Sequence, residues 1–194
     1  MAKVKAPLFS FSASGQIAKS LVYGGWKGID WVRQHVIPAN PKTADQQQQR
    51  GYFKTAVDQW HTDGFTLEDV KAWNLLALAL KEALSGFNVY VRLKVNSLIA
   101  ELTWRKFVDI TIGTPTADTC DVTIAEATEH ASTLYYGTSK TSMLESVEGA
   151  FETDTETYAM TGLTADTVYY FYIKTTEVGA AERTGIYKFK TAAA

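Results

Sequence analysis

Residues 163–173 read Leu-Thr-Ala-Asp-Thr-Val-Tyr-Tyr-Phe-Tyr-Ile, a turn-forming segment followed by a run of aromatic and β-branched residues. Such residues favour β-strands. From residue 108 onward, β-forming segments alternate with turn residues at short spacing. The predicted strands are residues 108–113, 119–125, 131–137, 143–147, 155–160, 167–176 and 185–190. Six or seven strands in about 85 residues indicate a small antiparallel β-sandwich.

Residues 163–169 resemble the Leu-x-Pro-x-Thr-x-Tyr run of fibronectin type III domains, with Ala165 at the usual proline position. The resemblance implies a fibronectin type III-like β-sandwich over residues 108–194. It also implies that Tyr169 is a tyrosine-corner residue, whose hydroxyl bonds to upstream backbone. The tryptophan often found on the second strand of the family has no counterpart near Cys120. The side chains that the resemblance turns inward on the strand are Tyr169, Phe171 and Ile173.

The leading segment, residues 5–38, is predicted to be an extended arm. Residues 8–15 partly alternate between apolar and small polar types, and glycines then separate aromatic residues. This pattern indicates turns between short extended pieces. So many aromatic side chains are not expected to remain in water. We expect them to pack either on the following helices or on another subunit. The candidate contact residues of the arm are Phe9, Phe11, Tyr23, Trp26, Trp31 and Arg33.

Two helices and a strand are predicted next, so the first half is an α+β region. The first helix spans residues 43–60. The second begins at Thr66, with Asp69 three residues later as in a capping box, and has the strongest apolar periodicity of the chain. Joined by a short loop, the two are expected to form an antiparallel helical hairpin. Residues 87–95 alternate apolar and polar side chains, which predicts a strand.

The charge of the chain is divided between its halves. Residues 1–107 contain 14 basic and 8 acidic residues, a net charge of +6, whereas residues 108–194 contain 5 and 13, a net charge of −8. This asymmetry indicates two surfaces that face different neighbours. Taken with the arm and the resemblances, it leads to the hypothesis of an anchoring domain over residues 1–107 and a displayed sandwich over residues 108–194. Gln46 and Arg50 lie one helical turn apart. They either reach an adjacent subunit or bond to neighbours on their own helix.

A series of spaced residues in the first half carries a second resemblance. The series, over roughly residues 5–95, resembles a family of small proteins found among the virion structural genes of tailed bacteriophages and prophages. The resemblance implies a head, neck or tail component, made in the host bacterial cytoplasm and located in the virion. Its implied partners are other virion proteins and itself, as a homo-oligomer. The residues are 14–17 (Ser-Gly-Gln-Ile), Arg33, Pro38, 40–43 (Asn-Pro-Lys-Thr), Gln46, Arg50, Phe53, Trp60, 72–74 (Ala-Trp-Asn) and 85–88 (Ser-Gly-Phe-Asn).

No motif in the sequence indicates catalysis, so we expect a non-enzymatic protein without cofactor or metal. The chain has no Gly-rich phosphate loop and no Gly-x-Ser-x-Gly motif. The three histidines lack metal-ligand spacing, and the single cysteine, Cys120, permits neither an internal disulfide nor a thiolate cluster. The dispersed basic residues do not predict direct binding of nucleic acid. The longest apolar stretch, residues 75–80, is too short to span a membrane.

A second functional class is a binding module, such as a host-surface or carbohydrate-binding adhesin. Sugar binding often uses exposed aromatic side chains, and alternation along the predicted strands turns some tyrosines outward. The candidate tyrosines are Tyr135, Tyr136, Tyr170, Tyr172 and Tyr187.

Overall fold

The computed structural model describes residues 2–3, 13–81, 83–125 and 131–194. The chain divides into two compact units, Met1–Thr43 and Ala44–Ala194. We call the first the N-terminal sheet and the second the helix–sandwich unit. The sequence places a boundary at residue 107, whereas the structure joins the helices and the sandwich in one unit. The reason is that helix α2 packs against the last strand of the sandwich.

The N-terminal sheet is antiparallel, with strands in the order β1-β4-β3-β2. Strands β3 and β4 are joined by a two-residue turn, in which Lys27 has a φ of 50° and Gly28 a φ of 73°. Two successive positive φ values are typical of the type I′ turn that suits a tight hairpin. The predicted extended arm is therefore a folded sheet over its described part. Its strands are β1 (Ala2–Lys3), β2 (Gly15–Ile17), β3 (Leu21–Trp26) and β4 (Ile29–Gln34).

The helix–sandwich unit begins with three helices, of which the sequence predicts the first two. They are α1 (Ala44–Thr62), α2 (Leu67–Ala79) and α3 (Gly86–Ile99). Thr66 and Asp69 form the capping box at the start of α2: the Thr66 hydroxyl accepts from the Asp69 N–H and the Asp69 carboxylate accepts from the Thr66 N–H. Helix α3 packs against both α1 and α2. The arrangement is therefore a three-helix group and not a two-helix hairpin.

The predicted strand at residues 87–95 is wrong, because these residues lie in helix α3. The side chain of Ser85 caps the helix by accepting a hydrogen bond from the N–H of Asn88. The buried positions follow helical spacing, with Val89, Tyr90, Lys94 and Ser97 all facing the interior. Tertiary packing on α1 and α2 outweighs the weak strand preference of the valines.

The sandwich has two four-stranded antiparallel sheets, ordered β5-β6-β10-β9 and β12-β11-β7-β8. Counted from β5 as strand A, this gives sheets A-B-E-D and G-F-C-C′, the strand grouping of immunoglobulin-like sandwiches. The strands are β5 (Thr111–Ile112), β6 (Cys120–Ala125), β7 (Ser132–Gly137), β8 (Glu145–Glu148), β9 (Ala150–Glu152), β10 (Thr155–Met160), β11 (Val168–Thr175) and β12 (Tyr187–Lys190). All the predicted strands of this region are present, and β9 is an additional one.

The core of the sandwich lies between the inward faces of its two sheets. Alternation along β6 buries Val122 and Ile124, and alternation along β11 buries Phe171 and Ile173. Leu134 of β7 completes the centre, and each of these five side chains is fully buried. Each contributes about 1.5–3 kcal/mol by leaving water, before the cost of ordering the chain.

Candidate assembly surfaces

The N-terminal sheet has no hydrophobic core within its described part. None of residues 13–43 is buried, although the segment includes two tryptophans, a tyrosine and several aliphatic side chains. A sheet of this size is stable when one of its faces packs against other apolar groups. The sheet therefore presents the surface that most needs a partner.

One face of this sheet combines tryptophans with cations. Residues directly paired across strands point to the same face, and the register pairs Gly24 with Trp31, and Trp26 with Ile29. Gly24 leaves room for the ring of Trp31, because a Cβ at residue 24 would lie 2.5 Å from a ring carbon. Trp26 is 68% exposed. We call this surface the tryptophan face; it comprises Val22, Trp26, Ile29, Trp31 and Arg33.

Two cations flank the tryptophan face. The Lys27 ammonium lies 4.8 Å from the centroid of the Trp26 ring. The Arg33 guanidinium lies 5.6 Å from that of Trp31. Such cation–π contacts contribute about 0.5–1 kcal/mol at exposed sites and gain strength when desolvated. Residues 1–43 contain six basic residues and one acidic residue, so the whole unit carries a net charge of +5.

The structure separates the predicted contact residues into three groups. Trp26, Trp31 and Arg33 share the tryptophan face, whereas Tyr23 pairs with Val32 on the opposite face, where it is half-buried. Gln46 and Arg50 are exposed on α1, in the other unit. The two remaining predicted residues, Phe9 and Phe11, lie outside the described residues.

The helices and the sandwich are joined by the carboxylate of Asp69, which is fully buried. Besides capping α2, its Oδ2 accepts a hydrogen bond of 3.1 Å from the N–H of Asp109. Its Oδ1 accepts a hydrogen bond from the hydroxyl of Tyr187. Burial and the nearby carboxylate of Asp69 raise the pKa of Tyr187 well above its usual range, so the phenol remains a donor.

Backbone contacts strengthen the same junction. The N–H of Ile186 donates to the carbonyl of Ala72 in α2 at 2.9 Å. Gly185 approaches α2 so closely that a Cβ there would lie 2.3 Å from the carbonyl carbon of Ala72. These bonds join residues far apart in the sequence, so the sequence alone does not predict the contact between α2 and the last strand. It holds the sandwich in a fixed orientation on the helices.

Lys94 is buried between α3 and the sandwich and is surrounded by polar groups. Its ammonium donates a hydrogen bond of 3.4 Å to the Trp104 carbonyl and lies 5.4 Å from the Trp104 ring centroid. Burial lowers the pKa of Lys94, while the charges of Asp63 and Glu182 act in the opposite direction. We interpret this cluster as part of the helix–sandwich junction, since Lys94 of α3 is buried and one of the charges that act on it belongs to Glu182 of the sandwich.

Tyr169 closes one end of the sandwich. Its hydroxyl accepts a hydrogen bond of 2.9 Å from the N–H of Thr164, five residues upstream. The ring stacks on Phe189 of the neighbouring strand, with 5.8 Å between centroids. A tyrosine at the start of this strand that bonds to upstream backbone is a tyrosine corner.

The candidate ligand-binding tyrosines divide between the core and the surface. Tyr136 and Tyr187 are buried, so they offer no face to a ligand. Tyr135 and Tyr172 are half-buried on the outer face, stacked with 5.2 Å between centroids. The Arg183 guanidinium lies 4.7 Å from the Tyr172 centroid. Stacking contacts already occupy Tyr172, which reduces the aromatic surface left for a sugar ring.

The edge of the sandwich formed by β8 and β9 is acidic. These strands end their respective sheets, on the side opposite the β5 and β12 edges near α2. Residues 141–173 contain no lysine or arginine. Leu144, just before β8, is 87% exposed. We call this edge of the sandwich the acidic edge; its carboxylates, of which Glu145 and Glu148 point to opposite faces of β8, are those of Glu145, Glu148, Glu152 and Asp154.

An apolar groove of about 600 Å³ lies beside α2, on the other side of the sandwich. Leu75 and Leu78 of α2 form one wall, and Ile112 and Ile186 form the other. Lys71 and Lys188 also line it. The groove is a further apolar surface of the helix–sandwich unit, of a size that accommodates a side chain or a short segment of a partner.

The described residues do not form a cluster of metal ligands. No cluster of three or more histidine, cysteine, aspartate or glutamate side chains in the described chain is arranged to hold a metal ion. Cys120 is buried, and burial raises the pKa of its thiol to about 11, which opposes formation of a reactive thiolate. Among the same residues, no helix combines the length and apolarity needed to cross a bilayer.

Strand grouping defines the C-terminal part as an immunoglobulin-like β-sandwich, and the tyrosine corner is a feature of such sandwiches. No family model matches the chain, and neither does any curated protein. Solved structures that align with part of it include a myokine structure, at 18% identity over 46% of this chain and 99% of that one, with a TM-score of 0.38.

Two further structures align over similar lengths. The chicken CNTN1 FN1–FN3 domains are 10% identical over 47% of this chain and 33% of theirs, with a TM-score of 0.40. The sensor domain of the anti-sigma factor RsgI4 from Pseudobacteroides cellulosolvens is 16% identical over 46% of this chain and 98% of its own, with a TM-score of 0.30. At these scores the likenesses carry no functional argument, and the fold class rests on the strand order.

Proposed function

We propose that this protein is a structural component of a tailed bacteriophage particle, in the head, neck or tail. In this role the N-terminal sheet anchors the chain by packing against other virion proteins, including further copies of itself. The helix–sandwich unit displays the immunoglobulin-like domain. The resemblance of the first half to phage virion proteins supports the phage setting.

One observation carries the assembly role: none of residues 13–43 is buried, although one face of the sheet that they form contains two tryptophans. Each large apolar side chain moved from water into an interface contributes about 1.5–3 kcal/mol. A face with several such side chains therefore supplies enough free energy for association, after the ordering costs of binding.

The test has two parts. Mass spectrometry of density-gradient-purified phage particles, from a host strain that encodes this chain, should detect it at a stoichiometry typical of a structural protein. In solution, sedimentation velocity of the full chain should show association that increases with concentration. Removing residues 1–43 should abolish association and leave the helix–sandwich unit folded. Absence from the particles, or a full chain that stays monomeric at all concentrations, would overturn the proposal.

A carbohydrate-binding role is the alternative that the sequence raises. The outward positions of Tyr135 and Tyr172 keep this candidate open. Burial removes Tyr136 and Tyr187 from it, and Tyr170 packs against the core of the helices. Binding of glycans in an array, lost in Tyr135→Ala and retained in Asp121→Ala, would favour it over a purely structural role. The two roles are compatible on one chain.

A further inference from the structure

We infer that the partner of the tryptophan face is the acidic edge of a second copy of this chain. The inference rests on the proposed function, because it names the partner within the assembly. The inferred contact joins the N-terminal sheet of one copy to the sandwich of the next.

Charge complementarity selects this partner. The tryptophan face is bordered by Lys27 and Arg33, in a unit with a net charge of +5. The acidic edge carries Glu145, Glu148 and Glu152 on or beside two edge strands, in a stretch without any basic residue. Opposite potentials accelerate encounter and fix the register of two surfaces. Since both surfaces belong to the same chain, every copy supplies both halves of the contact.

Apolar groups are available on both sides of the contact. Trp26, 68% exposed, and Ile29, 44% exposed, project from the tryptophan face. Leu144, 87% exposed, lies at the end of the acidic edge. Interfaces typically combine such an apolar centre with a charged rim. The contact thus has both a source of affinity and a source of specificity.

The contact can be repeated from copy to copy, because its two surfaces are different. It can form a reciprocal two-fold pair, in which the tryptophan face of each copy meets the acidic edge of the other, or it can close into a ring or continue as a filament. Sedimentation velocity is therefore expected to show a dimer or a larger species at high protein concentration.

A charge swap in the full chain tests the pairing. The acidic-edge variant is E145K/E148K, and the tryptophan-face variant is K27E/R33E. Each alone places like charges at the contact and should weaken self-association, measured by sedimentation velocity, by at least about tenfold. An equimolar mixture should restore association, because each variant then finds a partner of opposite charge. Raising the salt concentration should weaken wild-type association.

Two charge-matched controls separate the contact from net charge. D45K/D58K on exposed positions of α1 makes the same change as E145K/E148K, and K54E/K140E matches K27E/R33E. Both controls should associate like the wild type. Circular dichroism of each variant checks that the fold is retained.

A second measurement avoids variants. Carbodiimide cross-linking of mixed ¹⁴N- and ¹⁵N-labelled full chains should join Lys27 to Glu145 or Glu148 in peptides of mixed isotope content. Links of unmixed content only would place the contact within one chain and overturn the inference.

The outcomes also separate this inference from the proposed function. If E145K/E148K associates like the wild type while removal of residues 1–43 still abolishes association, the assembly role stands and the partner surface is another one. If neither variant is rescued by mixing, the inference is likewise wrong. If the wild-type chain never associates, both fail.

Discussion

The hydroxyl of Tyr187 in β12 donates a hydrogen bond of 2.5 Å to Oδ1 of Asp69 in α2. The two residues are 118 positions apart in the sequence. The same carboxylate also caps α2 and accepts the N–H of Asp109. A single buried side chain thus links the start of α2, the segment between α3 and β5, and the last strand of the sandwich.

Removing the Tyr187 hydroxyl should destabilise the helix–sandwich unit. In Tyr187→Phe the buried carboxylate of Asp69 loses one of its donors, and a hydrogen bond to a charged group contributes about 1.5–3 kcal/mol. Urea unfolding should show a loss of that size. Tyr135→Phe, on the outer face of the sandwich, serves as the control and should change the free energy of unfolding much less. Equal effects of the two variants would contradict this account of the junction.

Adding a methyl group at Gly185 should disturb the docking of α2. In Gly185→Ala the new Cβ meets backbone atoms of Ala72 and Trp73, at 2.3 Å and 2.4 Å, which cannot rotate away. Overpacking of this kind costs about 1–3 kcal/mol or more. The matched control is Gly51→Ala in α1, where a Cβ meets nothing within 4 Å. That substitution should stabilise the helix by about 0.5–1 kcal/mol. Thermal unfolding of both variants shows whether the signs differ as expected.

The tyrosine corner should contribute to stability through its hydroxyl. Tyr169→Phe keeps the ring stacked on Phe189 and removes the acceptor for the Thr164 N–H. We expect a loss of about 1–2 kcal/mol in unfolding experiments. Hydrogen exchange at the Thr164 amide should accelerate as well. Unchanged exchange at that amide would contradict a protecting role of this hydrogen bond.

Cys120 should make stability depend on pH in the alkaline range. Burial raises the pKa of the folded thiol from 9.0 to about 11. Above pH 9 the unfolded chain loses this proton and the folded chain keeps it, so the folded state binds more protons and stability falls as pH rises to about 11. In Cys120→Ala the decline over this interval should be smaller than in the wild type. Parallel pH profiles of the two proteins would refute the assignment.

The sandwich was predictable because its strands alternate regularly between inward apolar and outward polar side chains. The prediction of a strand over residues 155–160 coincides with β10, and the predicted inward residues Phe171 and Ile173 are fully buried. Helix α3 was not predictable in the same way. Its valines alternate as in a strand, and only the surfaces of α1 and α2 make the helix preferable.

The candidate surfaces were predictable only in part. The sequence indicates that Trp26, Trp31 and Arg33 are contact residues. That they lie on one face of the sheet follows only from the register of β3 and β4. Likewise, the spacing of Thr66 and Asp69 predicts a helix cap but does not predict the hydrogen bond between Asp69 and Tyr187. Such long-range contacts are set by the packing of whole elements, which single-sequence patterns do not record.

The close fit of Gly185 against α2 has a consequence for imaging. The described residues of the sandwich meet the helices through backbone contact and a buried carboxylate, so the sandwich is docked on the helices over more than the linking segment. In a symmetry-averaged map of an ordered array, the sandwich should appear as sharply as the helices that support it. Appended domains on loose linkers fade from such maps, and this one should remain visible.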